Sequence, residues 1–119
     1  MNALLQLKDE LAAAEHVLDT QFSFELAEPN YRRCLSIISE HPERREEISA
    51  LLVTMLNERM ISAEPVAYLM HCLRWAELKA KIADQLSSMS NPMLHGRELE
   101  KILEAFSDKW ENRDFYRFK

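Results

Sequence analysis

Apolar residues recur at spacings of three and four along most of this chain, and that rhythm divides it into helices. Leu4, Leu7, Leu11, Ala14 and Leu18 share one stripe over residues 2–19, with Lys8, Asp9, Glu15 and Asp19 off it. Phe22, Phe24 and Leu26 then alternate with Ser23 and Glu25 in the manner of a short strand. No second strand is visible to pair with it, so a loop or short helical turn that packs its aromatics onto the core is preferred. Pro29 fits the first turn of a second helix, where its missing N–H has no intrahelical partner to lose. Tyr31, Cys34, Leu35 and Ile38 make the buried stripe of that helix, which ends near His41.

Pro42 opens a third helix in the same way. Its first turns carry Glu43, Glu46 and Glu47, where the helix dipole favours negative charge. Ile48, Leu51, Leu52, Met55 and Leu56 give its core face to about Arg59. Ser62 is placed to cap a fourth helix with Pro65 near its start, and Val66, Leu69, Met70 and Leu73 face inward. Arg74, Trp75 and Ala76 form the corner into a fifth helix along Leu78, Ile82 and Leu86. The stretch Ser87-Ser88-Met89-Ser90-Asn91-Pro92 is the clearest loop signal. A last helix is expected from Gly96 or Arg97 to Trp110, on Leu99, Ile102, Leu103, Phe106 and Trp110.

The expected fold is therefore all-α: five or six helices in antiparallel hairpins, in one domain over residues 1–119. Either a compact bundle or a short HEAT-like stack of hairpins satisfies the pattern. An echo at an offset of 34 residues, the size of one helical hairpin, is produced by either arrangement. It pairs Leu35 with Leu69, Glu43 with Glu77, Arg45 with Lys79, Ile48 with Ile82, Leu52 with Leu86 and Met55 with Met89.

Composition supports helix over sheet. The chain has a single glycine, Gly96, among 119 residues, where average usage of about 7% predicts roughly eight. Hairpin turns and phosphate-cradling loops are hard to build without it. A formal net charge of −5 disfavours non-specific binding to nucleic acid or anionic membrane. The N-terminal residues lack the basic and apolar regions of a signal peptide, and no apolar run approaches the ~20 residues of a membrane span. Cys34 and Cys72 both fall on apolar helical positions, which points to two buried thiols in a cytoplasmic protein.

Candidate chemistry is sparse. His16, His41, His71 and His95 form no pair at the spacing a helical metal site needs, so neither metal nor cofactor is expected. His71 and Cys72 are adjacent, and on a helix adjacent side chains diverge, which argues against a nucleophile–base pair and against an enzyme. The tail, with Arg113, Phe115, Tyr116, Arg117, Phe118 and Lys119, combines rings and cations. Those are ingredients of single-strand nucleic-acid binding, but packing of the rings into a groove is the preferred reading, with no nucleic-acid partner. Acidic clusters are more numerous: Glu40, Glu43, Glu46 and Glu47 surround Pro42, and Glu98, Glu100, Glu104, Asp108 and Glu111 load the last helix. Tyr68, Cys72 and Trp75 share a stripe, and large rings with polar handles are favoured at interfaces.

The segment Leu69-Met70-His71-Cys72-Leu73-Arg74-Trp75-Ala76-Glu77 resembles a helix-corner pattern of small bacterial all-helical proteins; in that pattern a proline follows the tryptophan, and Ala76 departs from it. The whole chain is also similar in size, charge and helicity to small helical immunity proteins, which neutralise toxins in bacterial contact-dependent competition. The resemblance implies a non-catalytic protein that binds a basic toxin domain. Glu43, Glu46 and Glu47 are then the expected steering charges, and Tyr68 and Trp75 the expected anchors. The alternative is a helical-repeat scaffold or adaptor that takes a peptide or protein in a concave face.

Overall fold

Asn2 starts the first helix: its Oδ1 accepts the N–H groups of Leu4 at 3.0 Å and Leu5 at 3.4 Å. In this computed structural model residues 2–88 and 92–118 are described. They form α1 (Ala3–Gln21), α2 (Phe24–Glu40), a 3-10 turn (Pro42–Arg44), α3 (Arg45–Asn57), α4 (Ala63–Leu73), α5 (Ala76–Ser88), α6 (Pro92–Ala105) and a second 3-10 turn (Glu111–Phe115). The fold is all-α, and no strand occurs among the described residues. Most of the loop expected around Ser90 lies outside the described residues, as does Met89 of the sequence echo.

Helices α1 and α2 form a long antiparallel hairpin, packed along each other and joined through Phe22 and Ser23. Leu7, Leu11 and Ala14 of α1 are fully buried, as their spacing requires. Glu10 bridges the hairpin by accepting from Asn30 Nδ2 and Arg33 Nε, each at 2.9 Å.

The next helices stack as hairpins. Arg45 at the start of α3 donates to Glu77 at the start of α5, and Asn57 at the end of α3 accepts from Gln85 near the end of α5. Those contacts make α3 and α5 parallel. Helices α4 and α6 are parallel as well. His71 near the end of α4 meets Ala105 at the end of α6, while Glu98 and Lys101 share a cleft with Ser62 and Glu64 at the start of α4. Helix α2 packs on α4, and α4 on α6. The helices related by the echo, α2 with α4 and α3 with α5, thus lie against each other.

Helix α4 occupies the middle of its row, and every residue from 63 to 70 is buried. The stack closes on itself: the Cα radius of gyration is 13.5 Å, which is what a compact chain of this length gives.

The structure corrects several sequence expectations. The Phe22–Leu26 stretch (residues 22–26) is not a separate loop. Ser23 Oγ accepts the Leu26 N–H at 3.4 Å and caps α2, which begins at Phe24. Pro29 therefore sits inside α2 rather than at its start. Phe22 and Leu26 are exposed, not core.

The last helix starts at Pro92, which carries the same first-turn signal as Pro42, and stops at Ala105. Beyond it the backbone tightens, with Phe106 N–H on the Leu103 carbonyl and Ser107 N–H on the Glu104 carbonyl. Trp110 belongs to the segment after the helix, yet it is buried.

Glycine scarcity does not keep the chain out of left-handed backbone. Phe22, Arg59, Arg74 and Phe118 all have φ between 51° and 59°, whereas Gly96 lies within α6.

Candidate functional site

Pro42 turns the chain sharply after α2 and sets the acidic corner at the start of α3. Its fixed φ suits the first position of the 3-10 turn Pro42–Arg44. Glu40, Glu43, Glu46 and Glu47 are all exposed around it. Glu43 lies 3.3 Å from His41 Nδ1, and Arg44 lies 3.5 Å from Glu47. The Glu43 backbone N–H, then His41, hold the Glu43 carboxyl below its ordinary value. The corner is anchored from below by Arg45. Its guanidinium donates twice to Glu77 Oε1, at 2.9 and 2.7 Å, and lies 4.8 Å over the Trp75 ring.

The two aromatic anchor candidates are not at the surface. Tyr68 is 0% exposed and Trp75 is 6% exposed. Trp75 seals the α4–α5 corner beneath Arg45. Arg74, with φ 51° at the end of α4, turns the chain there and pairs with Asp108 at 2.8 Å. The spacing puts Tyr68, Cys72 and Trp75 on one stripe suited to an interface, but α4 is buried from Ala63 to Met70, so the polar handle of Tyr68 is satisfied inside the protein. Of the five candidates, the corner displays Glu43, Glu46 and Glu47, and the core takes Tyr68 and Trp75.

The Tyr68 handle belongs to a buried network that the sequence reading missed. Glu28 on α2 accepts the Tyr68 hydroxyl at 2.7 Å, the Arg117 N–H at 3.0 Å and the Phe118 N–H at 2.9 Å. Burial alone would raise this carboxyl, but the two backbone N–H groups, Tyr68 and the nearby Arg32 outweigh it and hold it low. Glu64 on α4 accepts the Tyr116 hydroxyl and, at 2.9 Å, the Asn112 side-chain amide. Here burial wins, and the Glu64 carboxyl stays above its ordinary value despite both donors.

These two carboxylates clamp the C-terminal segment to α2 and α4. Tyr116 packs edge-on against Tyr68 with centroids 4.8 Å apart, and Phe118 stacks on Tyr68 at 5.0 Å. Tyr116 and Phe118 thus pack onto the fold, while Phe115 is 54% exposed. A signal for the network was present: Glu28 precedes Tyr31 by three residues on the buried stripe, and Glu64 sits inside an apolar run.

His71 Nδ1 donates to the Ala105 carbonyl, 2.8 Å away, and the His71 ring lies 5.2 Å from both Trp110 and Phe118. The carbonyl acceptor makes Nδ1 the donor, so His71 finishes the end of α6. Cys34 is buried as expected, and burial pushes its thiol up to about 12. Cys72 departs from expectation: it is exposed, on the outer side of α4's last turn. Its thiol is nevertheless pushed up to about 11, first by partial burial and then by the Glu28 charge. Among the described residues no group of three or more His, Cys, Asp or Glu side chains is placed to hold a metal ion. No helix among them is long and apolar enough to cross a membrane.

A second surface feature lies at the α1–α2 turn. A cleft of about 570 Å³ opens between that turn and the tail, lined by Phe22, Phe24, Glu25, Asp114, Phe115 and Arg117 among others. Phe24 and Phe115 are 5.4 Å apart, centroid to centroid. Phe22 is 88% exposed on its lip.

No family model, curated protein or solved structure matches this chain. Its fold and surface define an all-α protein of stacked helical hairpins, with an acidic corner carried on a braced turn.

Proposed function

We propose that this chain is a non-catalytic protein-binding module, and specifically a cytoplasmic immunity protein that binds and neutralises a basic bacterial toxin domain. The observation that carries the reading is the acidic corner. Four exposed carboxylates, Glu40, Glu43, Glu46 and Glu47, project from a turn whose position is fixed by Pro42 and by the Arg45 contacts to Glu77 and Trp75. A fixed corner with an excess of negative charge raises the encounter rate with an oppositely charged partner and orients its approach. The net charge of −5 extends the same field over the whole molecule. The thiols, both pushed well above ordinary values, are poor nucleophiles at neutral pH, and His71 is engaged at the end of α6.

The test is genetic and biochemical. A toxin domain encoded directly upstream should co-purify with this chain, and expression of the chain should protect cells from that toxin. Failure to co-purify with that toxin, or to protect against it, would refute the reading. A second reading, a helical scaffold or adaptor, draws on the parallel stacking of α3 with α5 and α4 with α6. Such a scaffold would hold its partner in a groove by apolar contacts and be insensitive to salt. An acid-steered immunity protein would not be.

A further inference from the structure

Phe22 holds a large apolar ring in water at a fixed point of the surface. Its N–H is bonded to the Leu18 carbonyl at 3.1 Å and ends α1, so the backbone beneath the ring is anchored. Left-handed backbone recurs past the ends of α3 and α4, at Arg59 and Arg74. Those two side chains are charged, and water suits them. Phe22 alone of the three exposes an apolar ring, which meets no other ring among the described residues. Its complement lies beside it. The cleft of about 570 Å³ between the α1–α2 turn and the tail is walled by Phe24 and the exposed Phe115, and it has room for one aromatic side chain. An apolar knob and an apolar cleft inside a polar rim mark a contact surface.

The rim selects what makes that contact. Its charges balance: Glu25 pairs with Arg117 at 3.5 Å, and Asp114 with Arg113 at 3.9 Å. A strongly basic or strongly acidic surface would meet as many like charges here as opposite ones. The chain carries a net charge of −5, so its excess negative charge lies away from this rim. Two copies can therefore meet here without opposing like charges. A two-fold contact sets each residue of a patch against a different residue of the same patch. The knob then faces the cleft, the cleft faces the knob, and Glu25 of one copy faces Arg117 of the other. Both of those side chains are well exposed, so their pairing within one chain is weak and exchanging partners costs little.

We propose that this face joins two copies of the chain in a dissociable two-fold dimer. The Phe22 ring of each copy enters the Phe24–Phe115 cleft of the other, and Glu25 and Arg117 exchange partners across the axis. Two aromatic side chains bury roughly 300–500 Å². That falls short of the ~800 Å² per partner of a stable complex, so the dissociation constant should be on the order of 0.1 mM. The dimer is independent of the toxin-binding reading. Pro42 follows the far end of the 17-residue α2, so each copy keeps its acidic corner free.

Sedimentation equilibrium of the full chain tests it, over a range of about 0.02 to 1 mM that brackets this constant. The apparent mass should climb from monomer toward dimer across the range. Phe22→Ser should keep the protein monomeric while its circular dichroism matches wild type. Glu25→Arg and Arg117→Glu should each weaken association at least about fivefold, because like charges then face across the axis. An equimolar mixture of those two variants should associate at least as tightly as wild type, since opposite charges face each other again. A chain that stays monomeric to the top of the range, a Phe22→Ser variant that associates as wild type, or a mixture no tighter than either variant alone would each overturn the proposal. A monomeric chain that still protects against a toxin loses this dimer and keeps the proposed function.

Discussion

The Tyr68 hydroxyl donates to Glu28 Oε2 at 2.7 Å and so ties α4 to α2 directly beneath the C-terminal segment. The same carboxylate takes the backbone N–H groups of Arg117 and Phe118. One buried acid therefore joins three parts of the chain that are far apart in sequence. Charge-assisted bonds of this kind are stronger than neutral ones, and losing the acceptor strands buried donors.

Glu28→Gln should destabilise the fold by about 2 kcal/mol, since the amide offers one acceptor oxygen and turns a donor toward an N–H. The sign of the pH effect follows from the lowered carboxyl. Its stabilisation is complete above the ordinary value of 4.5 and is lost as pH falls through the lower folded value. Acid unfolding monitored by tryptophan fluorescence should show the tail releasing on this limb, and the Gln variant should lack it. Identical acid limbs in the two proteins would contradict the assignment.

Glu64 has the opposite sign. Burial raises its folded carboxyl above 4.5, so its neutral form is favoured in the fold and ionisation on rising pH removes stability. Glu64→Gln keeps an acceptor for Tyr116 and cannot ionise. Its melting temperature should match wild type near pH 4 and exceed it at pH 7. A variant less stable than wild type at pH 7 would show that the carboxylate, not the neutral acid, suits this site.

The thiols give an independent check on burial. With the Cys72 thiol near 11, about one part in ten thousand is thiolate at pH 7. Iodoacetamide should therefore modify exposed Cys72 about a hundredfold more slowly than a free thiol. Buried Cys34 should resist until the protein is unfolded. Mass spectrometry of native and denatured samples separates the two sites, and rapid native labelling at either would contradict these environments.

Much of the fold was legible because helical stripes are set by local spacing. The α4–α5 corner at Arg74 and Trp75, the stripe of α1 and the turn at Pro42 all follow from neighbours in sequence. The start of α2 was misplaced because Pro29 looked like a first-turn proline, while the Ser23 cap five residues after Leu18 was overlooked. The end of α6 depends on His71, 34 residues away, reaching the Ala105 carbonyl. No local pattern encodes that contact.

The site divided on the same line. Exposure of Glu43, Glu46 and Glu47 follows from their place on a first turn. The enclosure of Tyr68 depends on α2 and the tail arriving against it, which periodicity along α4 does not report. Glu28 and Glu64 stand at positions that hint at burial, but their donors, Tyr68, Tyr116 and the tail N–H groups, come from distant parts of the chain.

The acidic corner is tested most directly by the association rate with the toxin partner we propose, measured by stopped-flow fluorescence across a salt series. For an acid-steered complex the rate should fall more than about tenfold between 0.05 and 0.5 M sodium chloride. Replacing Glu43, Glu46 and Glu47 together by Gln should lower the low-salt rate and flatten the series, with dissociation changed much less. A rate that is indifferent to salt, or a triple variant that associates as fast as wild type, would contradict a steering role for this corner.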